Sequence, residues 1–287
     1  MYPAQFEYHK AGSVKEALDL LAKHKDDAKV LAGGHSLLPA MKLRLAQPKH
    51  VIDIGKISSL SGVKEEGGTL VIGALTTHYA IESSAVLKSK CPLMPEVAGH
   101  IGDPMVRNMG TLGGSLAHAD PAADWPAAVI ALGAEMVAEG PKGKRTIKID
   151  DFFKGLLTTA LADDEILTEI RVPAAAANVK SAYAKFPHPA SRFAVVGVAA
   201  VLTMDGGKIG KASIGLTGAG TKAIRAKGVE AAIAGKSADA ASIQAAAEKA
   251  ADGVDVQADL QGSVEYKSHL LRVFAKRAME AAAAAVK

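Results

Sequence analysis

The chain has a single cysteine, Cys91, among its 287 residues. One thiol cannot close an internal disulfide, and it cannot supply the four ligands of an iron–sulfur cluster or a structural zinc site. Pro92 follows it, so Cys91 is expected to be a small residue near a surface turn. Aromatic residues are also scarce, at 4%, which leaves no ladder on which bases could stack. Lysine and arginine are scattered, with no basic block longer than Lys142-Gly143-Lys144-Arg145. A net charge of +4 spread this way describes a solvated surface, and no nucleic-acid partner is expected. No run of about 18 apolar residues occurs, so no membrane span is expected. Met1 to Gly12 lacks the apolar run of a secretory leader, and without disulfides the expected location is cytoplasmic. The nine histidines form no metal pattern, and His35 and His118, each beside a glycine turn, have no second ligand at i+3 or i+4, so no metal site is expected. No Ser/His/Asp or Cys/His grouping marks a nucleophile, and no catalytic side chain is expected.

What the chain does have is glycine, 28 residues of it. Two segments stand out: Ala32-Gly33-Gly34-His35-Ser36 and Gly110-Thr111-Leu112-Gly113-Gly114-Ser115. Paired glycines allow a tight backbone turn and bring N–H groups against an anion. Two such turns in one domain can grip the same diphosphate from both sides, which points to a dinucleotide ligand. The commoner phosphate loops are excluded. In Gly215-Leu216-Thr217-Gly218-Ala219-Gly220-Thr221-Lys222, Thr221 separates glycine from lysine, and in Gly235-Lys236-Ser237 the first Walker glycine is replaced by Glu230. Both read as strand-to-helix connections. No Gly-x-Gly-x-x-Gly follows a strand. Asp120 and Asp124 share a face if a helix begins at Asp120, either as dipole-stabilising carboxylates or as acceptors for ligand hydroxyls.

The residue patterns predict a β-α-β-α-β unit over about 1–55. It contains a strand at Phe6 to His9, a helix capped by Ser13 with Glu16 completing a capping box, a strand at Lys29 to Leu31, a helix at Leu37 to Leu45, and a strand at Val51 to Ile54. A second unit, about 56–177, begins with strands at Leu60 to Lys64 and Thr69 to Gly73. It continues with helices at Thr77 to Leu87, Pro92 to Ile101 and Pro121 to Leu132, then strands at Glu135 to Glu139, Lys144 to Ile149 and Ile166 to Val172. Pro173 and the alanines after it read as a linker. The last unit, 178–287, has strands at Ser181 to Phe186, Ala194 to Met204 and Lys208 to Leu216, with Asp205-Gly206-Gly207 turning a hairpin. Alanine-rich helices follow from Ala223, and Ala281 to Ala285 reads as a fraying end. Strands followed by helices describe an α+β arrangement.

Several stretches resemble one family. Ala32-Gly33-Gly34-His35-Ser36-Leu37-Leu38-Pro39 with Met41-Lys42 is similar to the medium, FAD-binding subunits of aerobic carbon monoxide dehydrogenases and their xanthine dehydrogenase-like relatives. So are Asp103 to Ser115, Ala119-Asp120-Pro121-Ala122-Ala123-Asp124, Ile72-Gly73-Ala74-Leu75-Thr76-Thr77 and Tyr183-Ala184-Lys185-Phe186. The resemblance runs in order along essentially the whole chain. It implies an α+β fold: a two-subdomain FAD-binding fold of the vanillyl-alcohol oxidase and p-cresol methylhydroxylase type over 1–177, and a C-terminal α+β domain with a three-stranded antiparallel sheet and helices.

The cofactor implied is FAD. Lys29, Val30, Leu31, Ala32, Gly33, Gly34, His35 and Ser36 match the first pyrophosphate loop, and Gly110, Thr111, Gly113, Gly114 and Ser115 the second. Asp124 matches an acidic residue on the flavin's sugar-like chain, Ile101 and Leu161 match apolar flavin contacts, and Lys185 a further FAD contact. The implied partners are a large molybdenum-cofactor subunit and a small subunit with two [2Fe–2S] clusters, in a dimer of heterotrimers. The implied role is electron transfer to an external acceptor such as a quinone or NAD. A stand-alone FAD oxidase or NADH-linked reductase, and an assembly subunit without flavin, are the alternatives. Two departures from the family pattern stand out. Ser115 replaces an Asn or Asp of some relatives, and Phe186-Pro187-His188-Pro189-Ala190-Ser191-Arg192-Phe193 is less basic than expected, with Phe193 in place of a tyrosine placed to shield the ring.

Overall fold

The computed structural model describes residues 1–285. The first 55 residues build β1 (Glu7–Lys10), α1 (Val14–His24), β2 (Ala28–Leu31), α2 (Leu37–Lys42) and β3 (His50–Asp53). The strands form a parallel sheet in the order β1-β3-β2. Ser13 starts α1 as expected, its Oγ accepting from the Glu16 N–H at 3.1 Å. Glu16 reaches one residue further back than a capping box requires and accepts from the Gly12 N–H at 2.7 Å. The segment Ala32–Ser36 leaves the C-terminal end of β2, the edge where open parallel sheets present ligand sites.

The second sheet is antiparallel. β4 (Val63–Glu66) and β5 (Thr69–Gly73) form one hairpin of it. Six helices follow before the chain returns: α3 (His78–Ser83), α4 (Ala85–Lys90), α5 (Leu93–Gly99), α6 (Pro104–Met109), α7 (Leu112–His118) and α8 (Asp124–Leu132). The hairpin of β6 (Glu135–Gly140) and β7 (Gly143–Lys148) and strand β10 (Ile166–Pro173) complete it, while β8 (Phe153–Gly155) and β9 (Thr158–Thr159) pair as a separate two-stranded hairpin. The order β4-β5-β10-β6-β7 shows β10 inserted between the two large hairpins. The helix expected at Thr77 to Leu87 is two helices, because Ser84 is extended at φ −64°, ψ 116° and caps α4 through Leu87 N–H.

The third sheet holds β11 (Val179–Pro187), β12 (Ala194–Asp205), β13 (Lys208–Thr217) and the short β14 (Ile224–Arg225), in that order. It is four-stranded rather than three-stranded: Ile224 and Arg225 pair with Leu216 and Gly215, too short a segment to carry a strand pattern of its own. Helices α9 (Lys227–Ile233), α10 (Ala240–Ala247) and α11 (Val264–Ala284) follow. β12 is an unbroken apolar run from Ala194 to Ala200, fully buried, because α8 covers one face and α11 the other. Of the alanine-rich end expected to fray, Ala282 is buried and Ala283 partly so, while Ala281, Ala284 and Ala285 are exposed and α11 ends at Ala284.

Helix α8 joins the second and third sheets. Trp125 and Ala127 through Ala131 are almost wholly buried, as in a helix apolar all round. β13 approaches it so closely that a β-carbon on Gly215 would overlap the Ala127 carbonyl. That is the role of the glycine in the Gly215–Lys222 stretch, which connects β13 to β14; Gly235, at φ +75°, closes α9 rather than joining a strand to a helix. Cys91 is a core residue, 1% exposed, not a surface one; burial pushes its thiol up to about 12, so it is not a reactive thiolate.

Candidate functional site

The two glycine segments meet. A β-carbon on Gly33 would overlap the Met109 carbonyl and lie 2.9 Å from Gly110 Cα. Gly34 sits at φ +75°, a conformation that glycine adopts without a steric penalty. On the other side, Gly114 lies against Ala32, where an added β-carbon would be 3.6 Å from Ala32 Cβ.

The segments nevertheless do different work. Ala32–Ser36 is an open turn. Among the described residues no internal acceptor takes the backbone N–H of Gly33, Gly34, His35 or Ser36, which leaves four consecutive donors for an external acceptor. The second segment is not a turn. Gly113 and Gly114 lie in the first turn of α7, which Thr111 caps by accepting from Gly114 N–H at 3.1 Å. The N–H groups of Leu112, Gly113 and Ser115 go to Thr76, Ala74 and Thr111 carbonyls. Glycine is needed at Gly113 because the helix lies directly on the chain after β5; a β-carbon there would overlap Ala74. The expectation of donors from both segments is therefore narrowed: the first presents four free N–H groups, the second only that of Thr111, beside a close-packed floor and the Ser115 side chain.

Between them opens a cavity of about 560 Å³, within the range of small-molecule sites. Lys29, Val30, Ala32, Gly33, Gly34, His35, Ser36, Ile101, Gly110, Thr111, Gly113, Gly114, Ser115, Asp124 and Leu161 all line it. Leu31 does not; it packs beneath Gly34. Lys185 does not line it either; its Nζ bonds Asp124, which does. Ile54, Leu75, Leu157 and Phe193 add apolar wall that sequence patterns did not single out as lining, apart from Phe193.

Asp124 is 5% exposed at the start of α8. Tyr183 donates its hydroxyl to Asp124 Oδ1 at 2.6 Å, and Lys185 Nζ bonds Oδ2 at 2.8 Å and the His100 carbonyl at 3.0 Å. Burial pushes the Asp124 carboxyl up, against the opposing pull of Lys185 and Tyr183. Burial and Asp124 together push the Tyr183 hydroxyl well above its usual range, so it remains a donor. The Tyr183 hydroxyl crosses β12 at Gly197, where a β-carbon would collide with it. Asp120 shares no helix face with Asp124, because α8 begins at Asp124; Asp120 instead closes a turn by accepting from Ala122 N–H at 2.8 Å.

His78 is a site residue that the sequence reading passed over. It opens α3, lines the cavity and is 5% exposed. Trp125 Nε1 donates to its Nδ1 at 3.0 Å, which assigns the proton of the neutral ring to Nε2. Burial, then the charges of His35 and Arg107, lowers its pKa to about 4, so it is a neutral donor. Its only sequence mark is the preceding Thr77 cap. The β11–β12 hairpin supplies the last wall. His188 Nδ1 accepts from Ser191 N–H at 3.0 Å and His188 N–H bonds the Phe193 carbonyl at 2.8 Å, a closed turn that sets Ser191, Arg192 and Phe193 on the cavity rim. His9, His24 and His50, far apart in sequence, converge at the far edge of the first sheet.

Comparisons with known proteins agree with this architecture. Residues 4–175 match the family described as the FAD binding domain in molybdopterin dehydrogenase, and residues 181–282 match the CO dehydrogenase flavoprotein C-terminal domain. The carbon monoxide dehydrogenase medium chain of Hydrogenophaga pseudoflava is 44% identical over 98% of each chain. That of Afipia carboxidovorans is 39% identical over the whole of both. A solved structure of the H. pseudoflava carbon monoxide dehydrogenase, in a form lacking the Mo-pyranopterin moiety of its molybdenum cofactor, superposes with a TM-score of 0.96 at 46% identity, covering 99% of each chain. The expected α+β flavoprotein fold is thus the observed one, and the chain belongs to the FAD-binding family of the molybdopterin dehydrogenases, as an oxidoreductase subunit of the carbon monoxide dehydrogenase medium-chain type.

Proposed function

We propose that this chain holds FAD in the cavity between its glycine segments and serves as the electron-transfer subunit of a heterotrimeric molybdenum hydroxylase. The observation that carries the reading is the pairing of four free N–H groups at Gly33–Ser36 with the glycine-floored helix start at Thr111–Ser115. The donors suit a diphosphate, Ser115 adds a hydroxyl, and Asp124 can accept from hydroxyls of the sugar-like chain. Ile101 and Leu161 give the isoalloxazine apolar walls, with Phe193 at the rim. Lys185 and Tyr183 position the Asp124 carboxylate, and the His78 Nε2–H adds a neutral donor. Lys29, Val30 and Leu31 lead into the loop and fix its exit from β2. We read 1–177 as the FAD-binding unit and 178–287 as the unit that closes it, a division supported by the family matches and by the hairpin on the rim.

When bound, FAD supplies a two-electron store that can exchange electrons singly with clusters. The protein orients the cofactor and excludes water from its apolar end. The single cysteine cannot ligate a cluster, so electrons come from a partner's [2Fe–2S] centres. The substrate is oxidised on a large molybdenum-cofactor subunit, and the acceptor is external, a quinone or NAD among the candidates. We read the assembly as a dimer of heterotrimers in the cytoplasm; no described helix is long and apolar enough to cross a membrane.

The test compares the purified chain with the chain co-expressed with large and small partner subunits. The chain alone should retain flavin absorbance, and substrate should bleach that absorbance only in the full assembly. Turnover of an organic substrate by the chain alone would overturn the relay reading. Failure to bind FAD would overturn the cofactor assignment.

A further inference from the structure

Three imidazoles meet at the edge of the first sheet opposite Ala32–Ser36. His9 lies on β1, His24 in the last turn of α1, and His50 opens β3. β1 and β3 are parallel with Glu7 opposite His50. Helix α1 runs back over the sheet, so its last turn returns to the edge where these strands begin. His9 Nε2 lies 3.1 Å from His50 Nδ1. The His24 and His50 ring centroids lie 3.6 Å apart with their planes tilted by 33°, and one ligand atom from each of the three lies within 4.8 Å of the others. Glu7 Oε2 completes the group, 3.4 Å from His50 Nδ1 and 3.8 Å from His9 Nε2.

One atom here is unexplained. His24 Nε2 is buried with no hydrogen-bond partner, the only such side-chain atom among the described residues. Folded proteins rarely leave a buried polar atom unpaired unless something else satisfies it.

We propose that His9, His24, His50 and Glu7 bind one divalent late transition-metal ion, Zn²⁺ being the best chemical match, which staples β1, α1 and β3 together. Three imidazoles with one carboxylate form a donor set suited to zinc. Metal–nitrogen bonds of about 2.0–2.1 Å place tetrahedral ligand atoms roughly 3.3–3.4 Å apart. The His9–His50 pair is already near that spacing, and side-chain rotation brings the remaining ligands in. The His9 and His50 side chains are 22% and 16% exposed, which gives the ion a way in. None of the four residues lines the flavin cavity, so the ion would be structural and independent of the cofactor.

The test uses the full chain, stripped with a chelator and titrated with Co²⁺ and then Zn²⁺. The expected result is one Co²⁺ per chain with the intense visible bands of tetrahedral cobalt, displaced by Zn²⁺, together with a Zn²⁺-dependent rise in unfolding temperature. His9→Ala, His24→Ala and His50→Ala should each weaken binding by more than the roughly 10–100-fold cost of losing an outer-sphere partner. His269→Ala should bind as the parent does. Should the histidine variants not fold, Glu7→Gln, a change at a largely exposed side chain, serves in their place and should also weaken binding. Absence of stoichiometric cobalt uptake, or equal affinity in parent and variants, would overturn the proposal. Flavin content should be the same in parent and His24→Ala.

Discussion

Gly33 and His78 show how single residues shape the site. Gly33 has no room for a side chain, since a β-carbon would overlap the Met109 carbonyl. Gly33→Ala should push the two glycine segments apart, lower stability by about 1–3 kcal/mol and reduce flavin per chain, measured by absorbance after gel filtration. His78 carries a pH signature. Its native pKa is lowered from 6.5 to about 4, so between those values the unfolded chain binds a proton that the native chain does not. Stability contributed by the neutral ring is therefore full above pH 6.5 and is lost as pH falls toward 4, by about 3 kcal/mol in all. Urea unfolding from pH 4 to pH 7 should show this slope in the parent and a flatter one in His78→Asn.

At the scale of elements, the buried Lys185–Asp124 pair joins β11 to the start of α8. Both side chains are nearly inaccessible, at 2% and 5%, so removing one partner strands a charge. Lys185→Met should cost about 3–5 kcal/mol, whereas the double variant Lys185→Met/Asp124→Asn should recover much of the loss. A double-mutant cycle of unfolding free energies measures both. The elements were legible to different degrees. Strands β2, β3, β5, β12 and β13 follow their apolar patterns and fall close to the predicted bounds. The second glycine segment does not: paired glycines disfavour a helix by about 1 kcal/mol each, and only the packing of α7 against Ala74 and Ala32 explains a helix there. Ser84 split one predicted helix in two for a comparable reason: its side chain and backbone offered a cap that periodicity does not weigh.

On the scale of the whole molecule, the third sheet completes the cavity of the first two. The hairpin turn from Pro187 to Phe193 carries Arg192 and Phe193 to the rim, with Phe193 43% exposed. Phe193→Ala should leave flavin content largely unchanged while raising quenching of flavin fluorescence by iodide; unchanged quenching would show that the ring is screened elsewhere. The same reach across sheets explains Asp124, whose partners Tyr183 and Lys185 lie about sixty positions further along the chain.

The sequence by itself determined the strands and helices that follow apolar period, the glycine segments, and through their flanking residues the family and its cofactor class. These are local properties: periodicity, turn chemistry and short motifs act between neighbours in the chain. Tertiary structure alone decided that Gly33 touches Met109, that the first segment presents four free donors and the second only Thr111 N–H, that His78 is tautomerically fixed by Trp125, and that His9, His24 and His50 form a cluster. Those facts depend on strand order and on helix return paths. Parallel pairing of β1 with β3 brings Glu7 beside His50, and α1 running back over the sheet carries His24 to the same edge.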